Sequence, residues 1–264
     1  MLTIQPVPAF TDNYIWLLQD PDSREAFVVD PGDAAPVEER LQELGLTLAG
    51  ILITHHHFDH VGGLNALKEH HQCTVYGPHN PAISGIDNVV SAGESITVLG
   101  REFDILEVPG HTLDHIAYFS AGGVDGAETN PPLLFCGDTL FAGGCGRVFE
   151  GTFPMMLASL ESLAQLPGST EVYCAHEYTL ANLAFAQAVE PDNPDLASRV
   201  TLAKQTRQQN RPTVPSTIAL EQATNPFLRA HSEQLREALR QQGRLEEETA
   251  EGVFATVRGW KDNF

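Results

Sequence analysis

Directly after the apolar run Gly50-Ile-Leu-Ile53 the chain reads Thr54-His55-His56-His57-Phe58-Asp59-His60. Imidazoles and a carboxylate this dense, at the end of a buried strand, are the raw material of a metal site. On an extended segment successive side chains alternate, so His55 and His57 share one side and His56 faces away from it. Asp59 and His60 fall where the chain turns into a helix opened by Val61-Gly62-Gly63, so one short stretch offers two groups of ligands side by side. A surface histidine run is the ordinary alternative, and the internal position behind a buried strand argues against it.

Further donors must come from distant sequence. His111 in Val108-Pro-Gly-His-Thr, Asp138 in Leu134-Phe-Cys-Gly-Asp-Thr and His176 in Val172-Tyr-Cys-Ala-His-Glu each follow an apolar run. Any one alone reads as a hydrogen-bonded structural residue, but four such segments in succession point to metal. Five neutral imidazoles and two carboxylates suit Zn²⁺, Fe or Mn and leave room for water.

The elements that must position these groups are legible as short β-rich runs: 14–18, 26–29, 50–53, 74–76, 96–99, 103–108, 116–119, 133–136 and 171–174. Helical patterns lie between some of them, with Val37, Leu41 and Leu44 ended by Gly45, and 156–164 ended by Pro167-Gly168. After Glu177 the strand signal disappears and helices are expected at 179–189, 194–209, 226–241 and 250–261, which places a domain boundary near 176. Residues 121–130 and 241–248 read as surface loops, and no repeat is present.

At 264 residues the chain can bury a large core. A net charge of -20 disfavours nucleic acid and anionic membrane as partners. No segment is apolar enough to span a bilayer, and the N-terminus lacks the pattern of a secretory leader, so a cytoplasmic protein is expected. Cys73, Cys136, Cys145 and Cys174 form no CxxC pair and are expected as reduced core thiols. No GxSxG elbow is present, which disfavours serine-hydrolase chemistry.

The segment Thr54, His55, His57, Asp59, His60 resembles the THxHxDH signature of the metallo-β-lactamase superfamily. The resemblance implies an α/β fold, an αββα sandwich, holding two divalent metal ions, Zn²⁺ foremost with Fe or Mn as alternatives. By position, His55, His57 and His111 would bind one metal, Asp59, His60 and His176 the other, and Asp138 would bridge them. Asp59 would also handle the proton of the attacking water, as the catalytic residue.

Within that superfamily the chain is similar to glyoxalase II, the hydroxyacylglutathione hydrolases, through 13–16 (NYIW), 30–33 (DPGD), 144–147 (GCGR), 149–152 (FEGT) and 176–179 (HEYT). The tail, with Asn225-Pro226-Phe227 and 258–261 (RGWK), resembles their glutathione-binding domain. The resemblance implies a catalytic domain at 1–176 and a smaller all-helical glutathione-binding domain at 177–264. Arg147, Phe149, Tyr178, Arg258 and Lys261 match the residues that hold glutathione, although some members have Lys and Tyr in place of Arg147 and Phe149. The implied substrate is a small glutathione thioester cleaved to glutathione and a 2-hydroxy acid such as D-lactate, as in methylglyoxal detoxification, by a monomer. The nearest rival is a persulfide dioxygenase-like relative with a single iron; a fold that kept metal without catalysis is another, and the complete ligand set speaks against both.

The tail carries a physical argument of its own. Val253, Val257 and Trp260 form an apolar stripe, with Arg258 and Lys261 three apart beside it. In an acidic chain, distant charges are screened beyond about 8 Å at physiological salt, so a local pair of cations decides whether an anionic conjugate is held. Asp30, at the end of an apolar run, reads equally as support for a metal ligand or as a turn cap. His115 beside Asp114 reads equally as an orienting residue or a strand-start histidine. His70, His71 and His79 read as surface residues, and His231 as a core histidine on an apolar helical face.

Overall fold

The computed structural model describes residues 2–122 and 131–264, so most of the loop expected at 121–130 lies outside the described residues. The chain forms two compact units, Met1–Val108 with Asp114–Gly137, and Pro109–Leu113 with Asp138–Phe264.

The first unit contains a six-stranded sheet of β1 (Thr3–Ala9), β2 (Asn13–Gln19), β3 (Glu25–Val29), β4 (Thr47–Leu52), β5 (Thr74–Gly77) and β6 (Asn88–Val89), side by side in chain order. β1 to β3 are antiparallel and β3 to β6 parallel. Parallel neighbours need crossovers, which are α1 (Ala34–Leu44) between β3 and β4, and α2 (Phe58–Val61) with α3 (Leu64–His71) between β4 and β5. Asp33 caps α1 by accepting from the Ala35 amide, and Gly45 ends it in the left-handed conformation that favours glycine. Ile15, Leu17, Ala26, Val28 and Ile51 pack with Val37, Leu41, Leu64 and Leu67 of α1 and α3. The intervening Trp16, Leu18, Phe27, Val29 and Leu52 are buried as well. These strands are thus covered on both faces, which is why they read as apolar runs and not as alternation. β1 was hidden in the sequence by Pro6 and Pro8, tolerated because β1 is an edge strand.

β7 (Ser95–Val98), β8 (Arg101–Glu107), β9 (Ile116–Ser120) and β10 (Leu133–Gly137) of the same unit pair antiparallel in succession. The buried Tyr118 hydroxyl donates to the Ile53 carbonyl at 2.8 Å, tying β9 to the histidine-bearing end of β4. Its burial drives the phenol pKa well above the ordinary value.

The second unit carries the two-stranded hairpin β11 (Leu140–Phe141) and β12 (Gly144–Cys145), then α4 (Phe153–Ala164), β13 (Glu171–Cys174), α5 (Thr179–Val189) and α6 (Pro194–Gln208). It continues with β14 (Ser216–Thr217), α7 (Ile218–Thr224), a 3-10 turn at Pro226–Leu228, α8 (Glu233–Gln241) and α9 (Ala250–Asp262). Four expectations need correction here. Strand does occur after Glu177, because β14 pairs with β13, although the segment is otherwise helical. The helix expected at 226–241 is broken, since Ser232 caps α8 by accepting from the Leu235 amide. His231 therefore lies in the turn before that cap, exposed and bonded to Glu161 at 2.6 Å, not in a core. His70 and His79 are exposed as expected, whereas His71 is largely covered, because the end of α3 packs against Glu38 of α1. All four cysteines are buried free thiols, and burial pushes Cys145 to about 11 and Cys174 to about 12. Among the described residues no helix is long and apolar enough to cross a membrane.

Candidate metal centre

The first unit gathers His55, His57, Asp59 and His60 at the carboxyl end of β4. Past Leu52 the chain stays extended to His57, the cap of α2, whose φ and ψ are -62° and 144°. The helix thus begins at Phe58, earlier than the Gly62-Gly63 pair suggested, and puts Asp59 and His60 in its first turn. The ring centroids of His55 lie 4.9 Å from those of His57 and 4.0 Å from those of His60. Asn13 donates to Asp59 Oδ2 at 3.0 Å, and His60 Nε2 stands 3.5 Å from the same oxygen. The approach is close enough that a Cβ on Gly32 would fall 1.9 Å from the Asp59 carbonyl oxygen. That explains the glycine in Asp30-Pro31-Gly32.

Asp30 organises this group. Its carboxylate accepts from the Thr54 amide at 2.7 Å, from the Thr54 hydroxyl at 2.7 Å and from His60 Nδ1 at 3.0 Å. A carboxylate only accepts, so His60 carries its proton on Nδ1 and its lone pair on Nε2. The Thr54 hydroxyl has spent its one proton on Asp30, so the 3.0 Å contact between Thr54 Oγ1 and His55 Nδ1 is donated by His55. His55 is thereby fixed in the same tautomer. His115 stacks on His55 with centroids 4.5 Å apart and planes 15° apart, and bonds the Ile116 carbonyl at 3.0 Å. Asp30 thus contacts His60 and Thr54 directly, whereas His115, which stands immediately before β9, bonds its own neighbour's carbonyl and touches His55 by stacking alone. His56 is half-buried, turned to Asp114 Oδ1 at 2.9 Å.

The second unit gathers His111, Asp138 and His176. His111 Nδ1 is bonded to the Arg147 carbonyl at 2.8 Å, which again leaves the lone pair on Nε2. That Nε2 stands 3.4 Å from Asp138 Oδ2, while His176 Nε2 stands 3.3 Å from Asp138 Oδ1. Each carboxylate oxygen thus faces one imidazole. For His111, a lone-pair nitrogen and a carboxylate oxygen at such a distance repel unless a cation lies between them, so the donor set fits metal ligation. Tyr178 stacks on His176 with centroids 4.7 Å and planes 5° apart, and Phe141 meets both rings edge-on.

Sequence reasoning missed the device that shapes the loop after Asp138. Glu221, fully buried on α7, accepts from the Gly143 amide at 2.8 Å and from Asn225 Nδ2 at 3.0 Å, and also from Arg199 and Ser216. Asn225 Nδ2 further reaches the carbonyls of Phe141 and Gly144 at 3.2 and 2.9 Å. The hairpin β11-β12 is therefore held by side chains of the helical segment. A buried Arg-Glu pair so far apart in sequence has no local signal.

Of the expected glutathione contacts, Arg147, Phe149 and Tyr178 are exposed, Lys261 is half-exposed, and Arg258 is 3% exposed. Arg258 donates to the carbonyls of Cys145 at 3.1 Å and Gly146 at 3.5 Å and to Asp262 Oδ1 at 2.9 Å. Arg147 Nε lies 3.9 Å from the same Asp262 oxygen. Burial first, then the charges of Arg258 and Arg147, hold the Lys261 ammonium below its ordinary pKa. Arg147, Arg258 and Lys261 therefore form one cationic cluster tempered by the Asp262 carboxylate.

Residues 9–176 match the family described as the metallo-beta-lactamase superfamily, which defines the class of α/β metalloprotein, an αββα sandwich, and its divalent-metal chemistry. Residues 177–264 match hydroxyacylglutathione hydrolase C-terminus. Over 264 residues, 100% of both chains, the sequence is 53% identical to a hydroxyacylglutathione hydrolase from Chromohalobacter salexigens. The chain belongs to the hydroxyacylglutathione hydrolase family of that superfamily. Among solved structures, ETHE1 from Myxococcus xanthus is similar at a TM-score of 0.64 and 26% identity, covering 99% of this chain and 98% of that one. The di-iron-bound form of TTHA1623 shares the fold at a TM-score of 0.58 and 24% identity, covering 85% of this chain and 100% of that one.

Proposed function

We propose that the chain hydrolyses S-(2-hydroxyacyl)glutathione thioesters, such as S-D-lactoylglutathione, to glutathione and the 2-hydroxy acid. In this reading His55, His57 and His111 hold one metal ion, Asp59, His60 and His176 a second, and Asp138 is shared, with Zn²⁺ foremost and Fe or Mn as alternatives. Residues 1–176 act as the catalytic domain and 177–264 as the glutathione-binding domain of a cytoplasmic monomer. The observation that carries it is the tautomer of His55, His60 and His111: the Nδ1 proton of His60 goes to the Asp30 carboxylate, that of His111 to the Arg147 carbonyl and that of His55 to the Thr54 hydroxyl, whose own proton is given to Asp30, so that Nε2 is left as the ligating atom. The full-length identity to a hydroxyacylglutathione hydrolase supplies the reaction.

Bound divalent ions would polarise the thioester carbonyl and bring the pKa of water to about 7. Asp59, steadied by Asn13, takes the proton of the attacking water on its carboxylate. The leaving thiol has a pKa of about 8.5, so no dedicated general acid is required. Arg147 and Lys261 face the carboxylates of the glutathione moiety, Arg258 holds the Cys145-Gly146 backbone beneath it, and Tyr178 and Phe149 line its path beside His176 and His111. The full ligand set with Asp59, His60 and His176, together with the C-terminal family match, favours hydrolysis over a single-iron oxygenase. Steady-state kinetics on a panel of glutathione thioesters, with metal analysis of the same preparation, tests the proposal. Turnover that tracks metal content without oxygen uptake is expected; a fully loaded enzyme that left the lactoyl conjugate intact would refute it.

A further inference from the structure

A second group of donors in the first unit takes no part in that chemistry. Glu38 lies on α1, and His70 and His71 close the last turn of α3. His70 Nδ1 stands 2.7 Å from Glu38 Oε1, and His71 Nε2 stands 3.1 Å from both Glu38 oxygens. Ligand atoms of the three residues all lie within 4.8 Å of one another. We propose that Glu38, His70 and His71 form a further binding site for a borderline divalent transition-metal ion such as Zn²⁺, sharing no ligand with the hydrolytic centre and stapling α1 to α3.

Three features argue for it. The first is distance: a cation bonded at about 2.0–2.2 Å to imidazole nitrogen and carboxylate oxygen sets neighbouring donors about 2.9–3.4 Å apart in octahedral or tetrahedral geometry. The two Glu38–histidine separations already approach that spacing and the two imidazole donors lie within 4.8 Å of each other, so an ion replaces the shared protons through side-chain adjustment. The second is donor chemistry. Two imidazoles converge on one carboxylate, where a surface ion pair needs only one, and a two-His, one-carboxylate set is selective for Zn²⁺ and its neighbours over Mg²⁺ or Ca²⁺. Glu38 is ready as an anion: burial raises its pKa, but the hydrogen bonds and charges of His70 and His71 outweigh that and lower it.

The third feature is position. Both histidines sit at the carbonyl end of α3, where the helix dipole favours positive charge. The His70 side chain is 70% exposed, which gives entry from solvent, while those of His71 and Glu38 are 15% and 32% exposed, which limits competition from solvent.

The test uses the enzyme already carrying its hydrolytic metals, titrated with Zn²⁺ by calorimetry, with zinc per chain counted after gel filtration. The wild type is expected to take up one additional equivalent and to gain about 2–4 °C in Tm. His70→Ala and Glu38→Gln should each lose that equivalent and the shift, with thioester hydrolysis unchanged. Because the His70 side chain is 70% exposed and its ring packs beside that of His71, a missing equivalent in that variant with unchanged circular dichroism reports the site and not a failure to fold. No additional zinc in the wild type, or equal uptake by the variants, overturns the site; uptake without a Tm gain overturns the staple.

Discussion

Asp30 Oδ2 and His60 Nδ1 lie 3.0 Å apart with both side chains buried, and the backbone of Asp30 is held at φ 52° to make that contact. Aspartate and asparagine tolerate this left-handed conformation better than other residues with a side chain. The strain is therefore carried where a carboxylate must reach both the strand end, through Thr54, and the first turn of α2, through His60.

Asp30→Asn keeps the backbone and one acceptor but places an NH₂ against partners that now donate. His60 must then shift its proton to Nε2, the atom assigned to the metal. Loss of such a supporting contact typically costs 10–100-fold in metal affinity. Zinc affinity, measured against a competing chelator, should fall by about that factor while far-UV circular dichroism is retained. Undiminished affinity would mean that Asp30 does not set the tautomer.

Asp59→Asn tests a different role, since the carboxamide keeps the shape and an acceptor oxygen but cannot hold a proton at pH 7. A lost general base typically costs about 10²–10⁴-fold in rate. Turnover should drop within that range, with a smaller change in the Michaelis constant. His57→Ala should lose metal as well as turnover. Equal metal loss in both variants would reduce Asp59 to a ligand only.

Glu221 lies 0% exposed beneath the hairpin that follows Asp138, paired with Arg199. Removing one partner of a buried pair leaves the other charge uncompensated, at about 3–5 kcal/mol. Glu221→Gln should destabilise by that order in urea unfolding. The double variant Arg199→Met with Glu221→Gln should be less destabilised than Glu221→Gln alone, because no buried charge remains. A strictly additive cycle would show that the charge is not what matters.

What was readable in the sequence followed a physical rule. α1 announced itself by a 3.6-residue apolar period ended by Gly45, and the ligand-bearing strand ends by apolar runs that stop at polar donors. β1 was unreadable because its prolines mimic a loop. His231 was misplaced because an apolar period was extended through Ser232, whose capping role could have been seen from its position just before α8. The Glu221 network was invisible for a different reason. A buried charge is defined by what surrounds it, and Arg199, Ser216 and Asn225 are brought to Glu221 only by folding.

Arg258 and Lys261 should separate on substitution. Arg258 is buried and bonded to the Cys145 and Gly146 carbonyls, so Arg258→Ala leaves these acceptors short and should cost about 1–3 kcal/mol of stability besides raising the Michaelis constant. Lys261, with its Nζ 5.1 Å from the Phe185 ring centroid, makes no such backbone contact among those described. Lys261→Ala should raise the Michaelis constant about tenfold, equivalent to about 1.4 kcal/mol of binding, with little change in Tm. A Michaelis constant unmoved in both variants would remove the cluster from the glutathione site.

The depressed pKa of Lys261 gives the same cluster a pH signature. Burial, then the charges of Arg258 and Arg147, disfavour its protonated form in the folded chain. An ordinary lysine titrates near 10.4, so Lys261 loses its charge earlier on the alkaline side. The Michaelis constant for the anionic substrate should therefore begin to rise below that pH. Lys261→Arg, charged throughout, should flatten the limb. For stability the sign is opposite, because between the folded and unfolded pKa values the unfolded chain binds more protons, so stability contributed by this group rises with pH across that window. An alkaline limb that persisted unchanged in Lys261→Arg would assign it to another group.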